Sequence, residues 1–279
     1  MPEDTVVFKK LLDQVNTVCA VAAATYKEWF AYRTHSLVSA FVGPVQFVVM
    51  VSIWRAVYTN VSLVGGMRYE EMIAYYGVTM LIQYLTMDFA DWNLQMLVRT
   101  GKFLSFALRP LHHRQFALAQ KFGHRTLGFL FEFVPVWLIF AFVFRIRFHP
   151  AHGAWFLVSV ALSYLMVFYI NYCIGLLAFW LVNTNGIRAL CQLLTQVCSG
   201  ALFPLLLLPT ELQRFVFFLP FQYTAYVPGM VYIGKYDMGQ FSMSMPQIVA
   251  IQAVYVLGAF GLSEMLYRAG MKRFTAVGT

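Results

Sequence analysis

Hydrophobic positions along this chain run in long blocks. They lack the strict alternation of a half-buried strand and the one-sided stripe of a surface helix. Six blocks reach the about 20 mainly apolar residues that a helix needs to cross hydrocarbon. They cover residues 36–58, 72–92, 127–144, 155–182, 187–208 and 248–267. Shorter apolar pieces at 215–219 and 223–233 are bounded or broken by Pro220 and Pro228. They are too short to cross and predict re-entrant or interfacial helices between spans five and six. Residues 5–33 follow another pattern. Val7, Leu11, Leu12, Val15, Val18, Cys19 and Ala22 recur at helical spacing, with a polar face at Lys9, Lys10, Asp13 and Gln14. That predicts an amphipathic helix lying in the inner interface; a cytosolic helix packed on a partner is the other reading. The expected fold is an all-α integral membrane protein of six transmembrane helices, one domain over residues 1–279, with no internal repeat. A cytoplasmic loop is expected over 93–126 and an extracellular or re-entrant segment over 209–246.

Composition agrees with lipid as the solvent. Hydrophobic residues make up 60% of the chain and charged residues 11%, where soluble domains carry roughly 25% charged residues. The mean hydropathy is +0.66. A soluble enzyme, a disordered protein and a secreted disulfide scaffold are excluded. Cys19, Cys173, Cys191 and Cys198 form no paired framework. The net charge of +8 bears on orientation, not on nucleic acid. Of the 20 Lys and Arg residues, only Arg55, Arg68, Arg145, Arg147, Arg214 and Lys235 fall outside when the N-terminus is inside. Both termini are therefore expected in the cytoplasm. The acidic residues Glu3, Asp4, Asp13 and Glu28 ahead of the first block do not fit a cleavable signal peptide.

A catalytic constellation is missing. Gly101-Lys102 lacks the upstream glycine and the Ser or Thr of a phosphate-binding loop, and no HExxH or paired-cysteine metal site occurs. His112, His113 and His124 share a stretch with several Lys and Arg residues, which predicts a surface for headgroups or a partner rather than a metal site. Ser199-Gly200 has Val197 where an intramembrane serine protease carries a glycine, so a small-residue helix contact is expected. Asn60-Val61-Ser62 is a glycosylation sequon, relevant only in a eukaryotic secretory route. Ionisable residues within spans are costly and invite a functional reading. Glu132 stands deepest, and Asp88 and Asp91 share a helix face near the inner end of span two. A proton-coupled secondary carrier would use Glu132 and Asp88. Structural pairing is the competing account: Asp88 and Asp91 with Arg99 or Lys102, and Glu132 across the bundle.

Two local patterns remain. The inner loop carries Gly101, a short apolar helix over 103–108 and then Arg109-Pro110 as a stop. A short helix with Phe103, Leu104, Phe106, Ala107 and Leu108 on a basic loop is a docking element in search of a groove. The second pattern is the proline-punctuated run 199–235, with Pro204, Pro209, Pro220 and Pro228. Irregular backbone at membrane depth suggests a gate or pathway lining.

With these residues in place the chain resembles a known family. The marks are Trp54-Arg55-Ala56-Val57-Tyr58, then Gly101-Lys102 with Leu108-Arg109-Pro110-Leu111, then Ser199-Gly200, Phe203-Pro204-Leu205 and Leu208-Pro209. Leu219-Pro220-Phe221, Pro228 and Tyr232-Ile233-Gly234 follow. In this order they resemble the permease subunits of type-2 ATP-binding cassette exporters, in the short bacterial form whose ATPase is a separate chain.

The resemblance implies a multi-pass permease in the plasma (bacterial inner) membrane. Two ATPase subunits and a second permease half, identical or paralogous, would complete the transporter. ATP and Mg²⁺ would sit on the ATPase, with no cofactor, metal or catalytic residue in this chain. ATPase coupling would fall to Arg99, Gly101, Lys102, Phe103, Leu108, Arg109 and Pro110. The pathway and gate would involve Tyr76, Met80, Leu194, Val197, Phe203, Pro204, Pro209, Pro220 and Phe221. The aromatic and aliphatic wall this implies suits an apolar or amphipathic cargo. A lipid-modifying membrane enzyme would need convergent His, Asp or Ser residues, which are absent. A non-transporting scaffold that recruits an ATPase would share the docking loop.

Overall fold

The computed structural model describes residues 20–21, 33–108, 112–145, 149–181, 183–239 and 241–274. Helix α1 runs Arg33–Val57, α2 Tyr69–Thr86, α3 Ala90–Arg99, α4 Phe103–Ala107 and α5 His113–Gly128. A π-turn, Phe129–Phe133, joins α5 to α6, Val134–Phe142. Helix α7 covers Gly153–Leu176 and closes in a 3₁₀ turn, Leu177–Phe179; α8 covers Asn185–Cys198. Then come a 3₁₀ turn Leu205–Leu207, α9 Thr210–Phe217, a second such turn Pro220–Thr224 and α10 Tyr226–Ile233. Strands β1 (Tyr236–Met238) and β2 (Phe241–Met243) pair antiparallel, with Tyr236 opposite Met243, before α11, Met245–Arg273.

The described residues are mainly helical, with one short β-hairpin, as the hydrophobic blocks predict. Three helical runs are long and apolar enough to cross a membrane: His113–Phe142, Gly153–Phe179 and Met245–Arg273; Val42–Val57 is a shorter apolar helix. The expected second span is not one helix. It breaks at residues 87–89 and restarts as α3. The expected fifth span leaves helix at Cys198, and 14 residues rise only about 21 Å. The third begins earlier than its apolar block: residues 113–126, expected in a loop, form α5. The π-turn there precedes Pro135, which has no N–H to give and crowds the preceding turn. The expected interfacial helix over 5–33 lies outside the described residues except at 20–21 and 33.

The core is built where α7 packs along α11 and where α3 crosses α7. Gly175 makes the second crossing possible. A Cβ there would stand 3.0 Å from Asp91 Cα and 3.2 Å from Ala90 O. Between α7 and α11 the contact is polar at its centre. Gln252 accepts from the Ser159 hydroxyl at 2.8 Å, and its amide donates to Ser159 O and Tyr223 O, both at 3.0 Å. Ser163 donates to Thr224 O. These bonds fasten the turn Pro220–Thr224, whose carbonyls no regular helix would satisfy. Helix α10 is buried along nearly its whole length, from Tyr226 to Tyr232, against α2 and α7. With eight residues it is far short of the about 20 needed to span.

Gly175→Val should drive α3 off α7. Overpacking of this kind costs about 1–3 kcal/mol, so the purified variant should unfold at a lower temperature than the parent. An unchanged midpoint would show that the crossing is not close-packed.

Candidate functional site

One end of the molecule carries a short helix held from behind. Asp88 Oδ1 accepts from the backbone N–H groups of Phe89 at 2.9 Å and Ala90 at 3.3 Å, which starts α3. Gly101, at φ +70°, supplies the left-handed residue that turns the chain from α3 into α4. In α4, Phe103 is fully buried. Its ring centroid lies 5.0 Å from Phe179, 5.2 Å from Phe274 and 5.5 Å from His113. Phe106 is buried against His113 and Phe116 at 4.8 and 4.9 Å. Leu104 and Leu108 remain 44% and 81% exposed, beside exposed Arg99 and Lys102. The single apolar face expected from the sequence is thus divided. Two phenylalanines anchor the helix and two leucines face outward. Arg109 and Pro110 lie outside the described residues.

His113, expected to face headgroups or a partner, is instead buried among the α4 anchors. Its Nδ1 is 3.2 Å from the Tyr172 hydroxyl, so it belongs to the wedge between α4 and α7. His112 lies 3.8 Å from Glu264, which also takes Arg114 at 2.8 Å and Arg268 at 2.7 Å. That cluster ties α5 to α11 beside α4.

Two of the intraspan carboxylates, Asp91 and Glu132, are ion-paired, but not as expected. Asp91 is buried and its Oδ2 meets Arg188 Nε of α8, rather than Arg99 or Lys102. Asp88 lies in the field of Lys121, whose ammonium donates to Tyr164 O at 2.9 Å and sits 4.1 Å above the Tyr164 ring. Glu132 finds Arg125 at 3.2 Å, seven residues back on the same helical run. Arg125 also donates to Tyr84 O at 2.9 Å, one of the carbonyls freed where α2 ends. Glu132 therefore has a structural task, and the proton-carrier alternative loses its free deep carboxylate.

Toward the other end, the proline-rich run is held by hydroxyls and amides. Tyr75 donates to Gly200 O at 2.6 Å and Tyr76 to Leu202 O at 3.1 Å. Gln213 donates to Leu206 O at 3.0 Å and Leu208 O at 2.7 Å. Gly200 has φ +79°, and a Cβ there would stand 2.7 Å from Tyr75 Oη. Tyr76, expected on a pathway wall, is packed in the core as a clamp. Pro204 is buried too, Met80, Val197, Phe203, Pro220 and Phe221 are half-buried, and Leu194 and Pro209 are exposed. Glu71 closes this end against Lys235 at 2.9 Å. Burial acts to raise that carboxyl, but the Arg68 N–H and the Lys235 ammonium outweigh it and hold it below the ordinary glutamate value.

Helix α8 differs from the other long helices. Arg188, Cys191, Thr195, Val197 and Cys198 are the α8 residues at least half-buried in this chain, and Leu190 and Leu193 are 57% and 58% exposed. Asn185, Arg188, Gln192 and Gln196 form one polar stripe at helical spacing, with both glutamines exposed. Sequence reasoning passed over this stripe, although the 185–188–192–196 spacing was its signal. A cavity of about 30 Å³, lined in part by Asp88, Asn93, Gln120, Lys121 and His124, sits at the α2–α3 break. It has room for no more than a water or two and is no cargo site. Among the described residues no group of three or more His, Cys, Asp or Glu is placed to hold a metal ion.

Arg125→Met should destabilise by about 3–5 kcal/mol, because it leaves Glu132 buried without its partner. Arg125→Met combined with Glu132→Gln should recover most of the lost thermal stability. Equal losses in the single and double variants would rule out the pair as the cause.

No curated protein matches the chain. The family described as ABC-2 family transporter protein matches residues 45–278, from the middle of α1 through α11. The short anchored helix α4, the broken helices and the polar stripe of α8 all lie within the matched residues. The chain belongs to the ABC-2 family and is a membrane permease of the ABC transporter kind.

Proposed function

We propose that this chain is one half of the pathway of an ATP-driven exporter in the plasma (bacterial inner) membrane, with both termini cytoplasmic. The observation that carries this is α4, with Phe103 and Phe106 driven into the core and Leu104 and Leu108 held outward beside Arg99 and Lys102. Helices this short do not hold themselves in place. One anchored from behind and apolar in front is built to fill a groove, and the groove is that of a separate ATPase subunit. ATP and Mg²⁺ belong to two such subunits. The second permease half, identical or paralogous, lies against α8, where amides within a span need either a protein partner or water.

ATP binding draws the ATPase subunits together and carries α4 with them. The difference in nucleotide affinity between the two arrangements supplies the bias between inward and outward states. This chain supplies the element that switches. Cargo passes between the halves along α8 and leaves through the proline-broken segment 199–235. Leu190, Leu193 and Leu194 offer apolar contact and Gln192 and Gln196 offer hydrogen bonds, a wall for an amphipathic cargo rather than a highly charged one.

The test uses the permease co-expressed with its ATPase and purified into lipid nanodiscs. Leu104→Asp with Leu108→Asp should leave the permease folded yet lower ATPase recovery by about tenfold, the loss of roughly 1.4 kcal/mol of binding. ATP hydrolysis by the complex should fall with it. Undiminished recovery of the ATPase would refute docking through α4.

A further inference from the structure

Helix α8 is fastened at its two ends and barely between them. At the proline-rich end, Ser199 O accepts from the Tyr226 N–H at 2.8 Å, and Tyr75 holds Gly200 O. At the other end the attachment is a joint of two side-chain pairs, both on α3. Arg188 meets Asp91, and Gln95 donates its amide N–H to Asn185 Oδ1 at 3.2 Å. Asp91 is 4% and Gln95 2% exposed. Arg188 keeps 24% of its side chain exposed, but its partner is buried, so parting the pair strands the Asp91 carboxylate away from water.

Helix α3 is the stiff member of this arrangement. At Gly175 its backbone lies close against α7, a close-packed crossing about which α3 is held. Beyond Gly101 it leads directly into α4. A displacement applied at α4 therefore tilts α3, and α8 follows only as far as the joint compels it. Granted the ATPase docking proposed above, on which this rests, we infer that the joint of Asp91–Arg188 and Gln95–Asn185 transmits movement of α4 to α8. Arg188 is a positioning residue of the pathway wall. It acts through α8 and need not touch cargo.

The test reads the movement of α8 directly. The full permease, with its four cysteines replaced by serine and Leu193→Cys added, is assembled with its ATPase in nanodiscs. Maleimide modification of Cys at 193 is then timed with and without ATP and vanadate. Nucleotide should change the rate by about fivefold or more, the lower end of ordinary coupling between sites. Arg188→Gln should leave ATPase recovery intact but reduce the change to less than about twofold, while Arg188→Lys, which keeps the charge, should restore it. A merely structural arginine would not separate the two readouts.

Should Arg188→Gln fail to fold, Gln95→Met decides. It removes the second bond at similar length and should lower the response, and a full response in it overturns the joint. A full response in Arg188→Gln overturns it equally. So does an assembled complex that hydrolyses ATP while the 193 position never responds. In those cases the exporter reading survives. If no ATPase assembles with the unmutated permease, that reading fails first, and the joint falls with it.

Discussion

A helix that breaks inside a membrane frees carbonyl groups that have no water to turn to, and each one left bare costs about 1–3 kcal/mol. This constraint organises the molecule. The chain breaks at residues 87–89 and repeatedly from Ser199 to Ala225, and side chains meet freed groups at both places. Arg125 serves Tyr84 O, Tyr75 and Tyr76 serve Gly200 O and Leu202 O, and Gln213 serves Leu206 O and Leu208 O. Gln222 donates to Phe217 O at 2.7 Å, and Gln252 reaches Tyr223 O from α11. The buried polar residues, which in a sequence look like candidate chemistry, are largely the counterpart of the breaks.

Breaks maintained in this way divide the bundle into separately packed parts. The α7–α11 pair forms the frame, with Ser159, Ser163 and Gln252 at its centre. α3 and α4 ride on α7 through Gly175 and Phe179. α8 is the least covered long helix and hangs from both. An element with two arrangements needs rigid pieces and few joints between them. In the exporter proposed above, α7 with α11 is the frame, α3 with α4 the lever, and α8 the strut that carries the polar stripe.

Much of this was legible beforehand. Long apolar blocks gave the helical membrane class. Pro220 and Pro228 marked the short helices of the 199–235 segment, and Gly101 with Phe103 marked α4. What stayed hidden depends on contacts far apart in the chain. Nothing local distinguishes Phe103 and Phe106, which anchor, from Leu104 and Leu108, which face outward. The difference comes from Phe179 and Phe274, which arrive from far along the chain. His113 read as a surface residue because its neighbours in sequence are basic, while its neighbours in space are aromatic. Asp91 lies 97 positions from Arg188, and sequence spacing alone favours the nearer Arg99 and Lys102. The run 72–92 is apolar on both sides of its break, and hydropathy is blind to the elbow at 87–89.

The most direct measurement places a benzophenone amino acid at position 108 of the full permease in native membranes and irradiates. Crosslinked products are identified by photolabelling with azido-ATP. The account predicts that position 108 joins to a nucleotide-binding subunit, whereas the same probe at position 103 reacts only within the permease. Capture of lipid alone at 108, or equal capture from both positions, would contradict an α4 anchored by its phenylalanines and docked by its leucines.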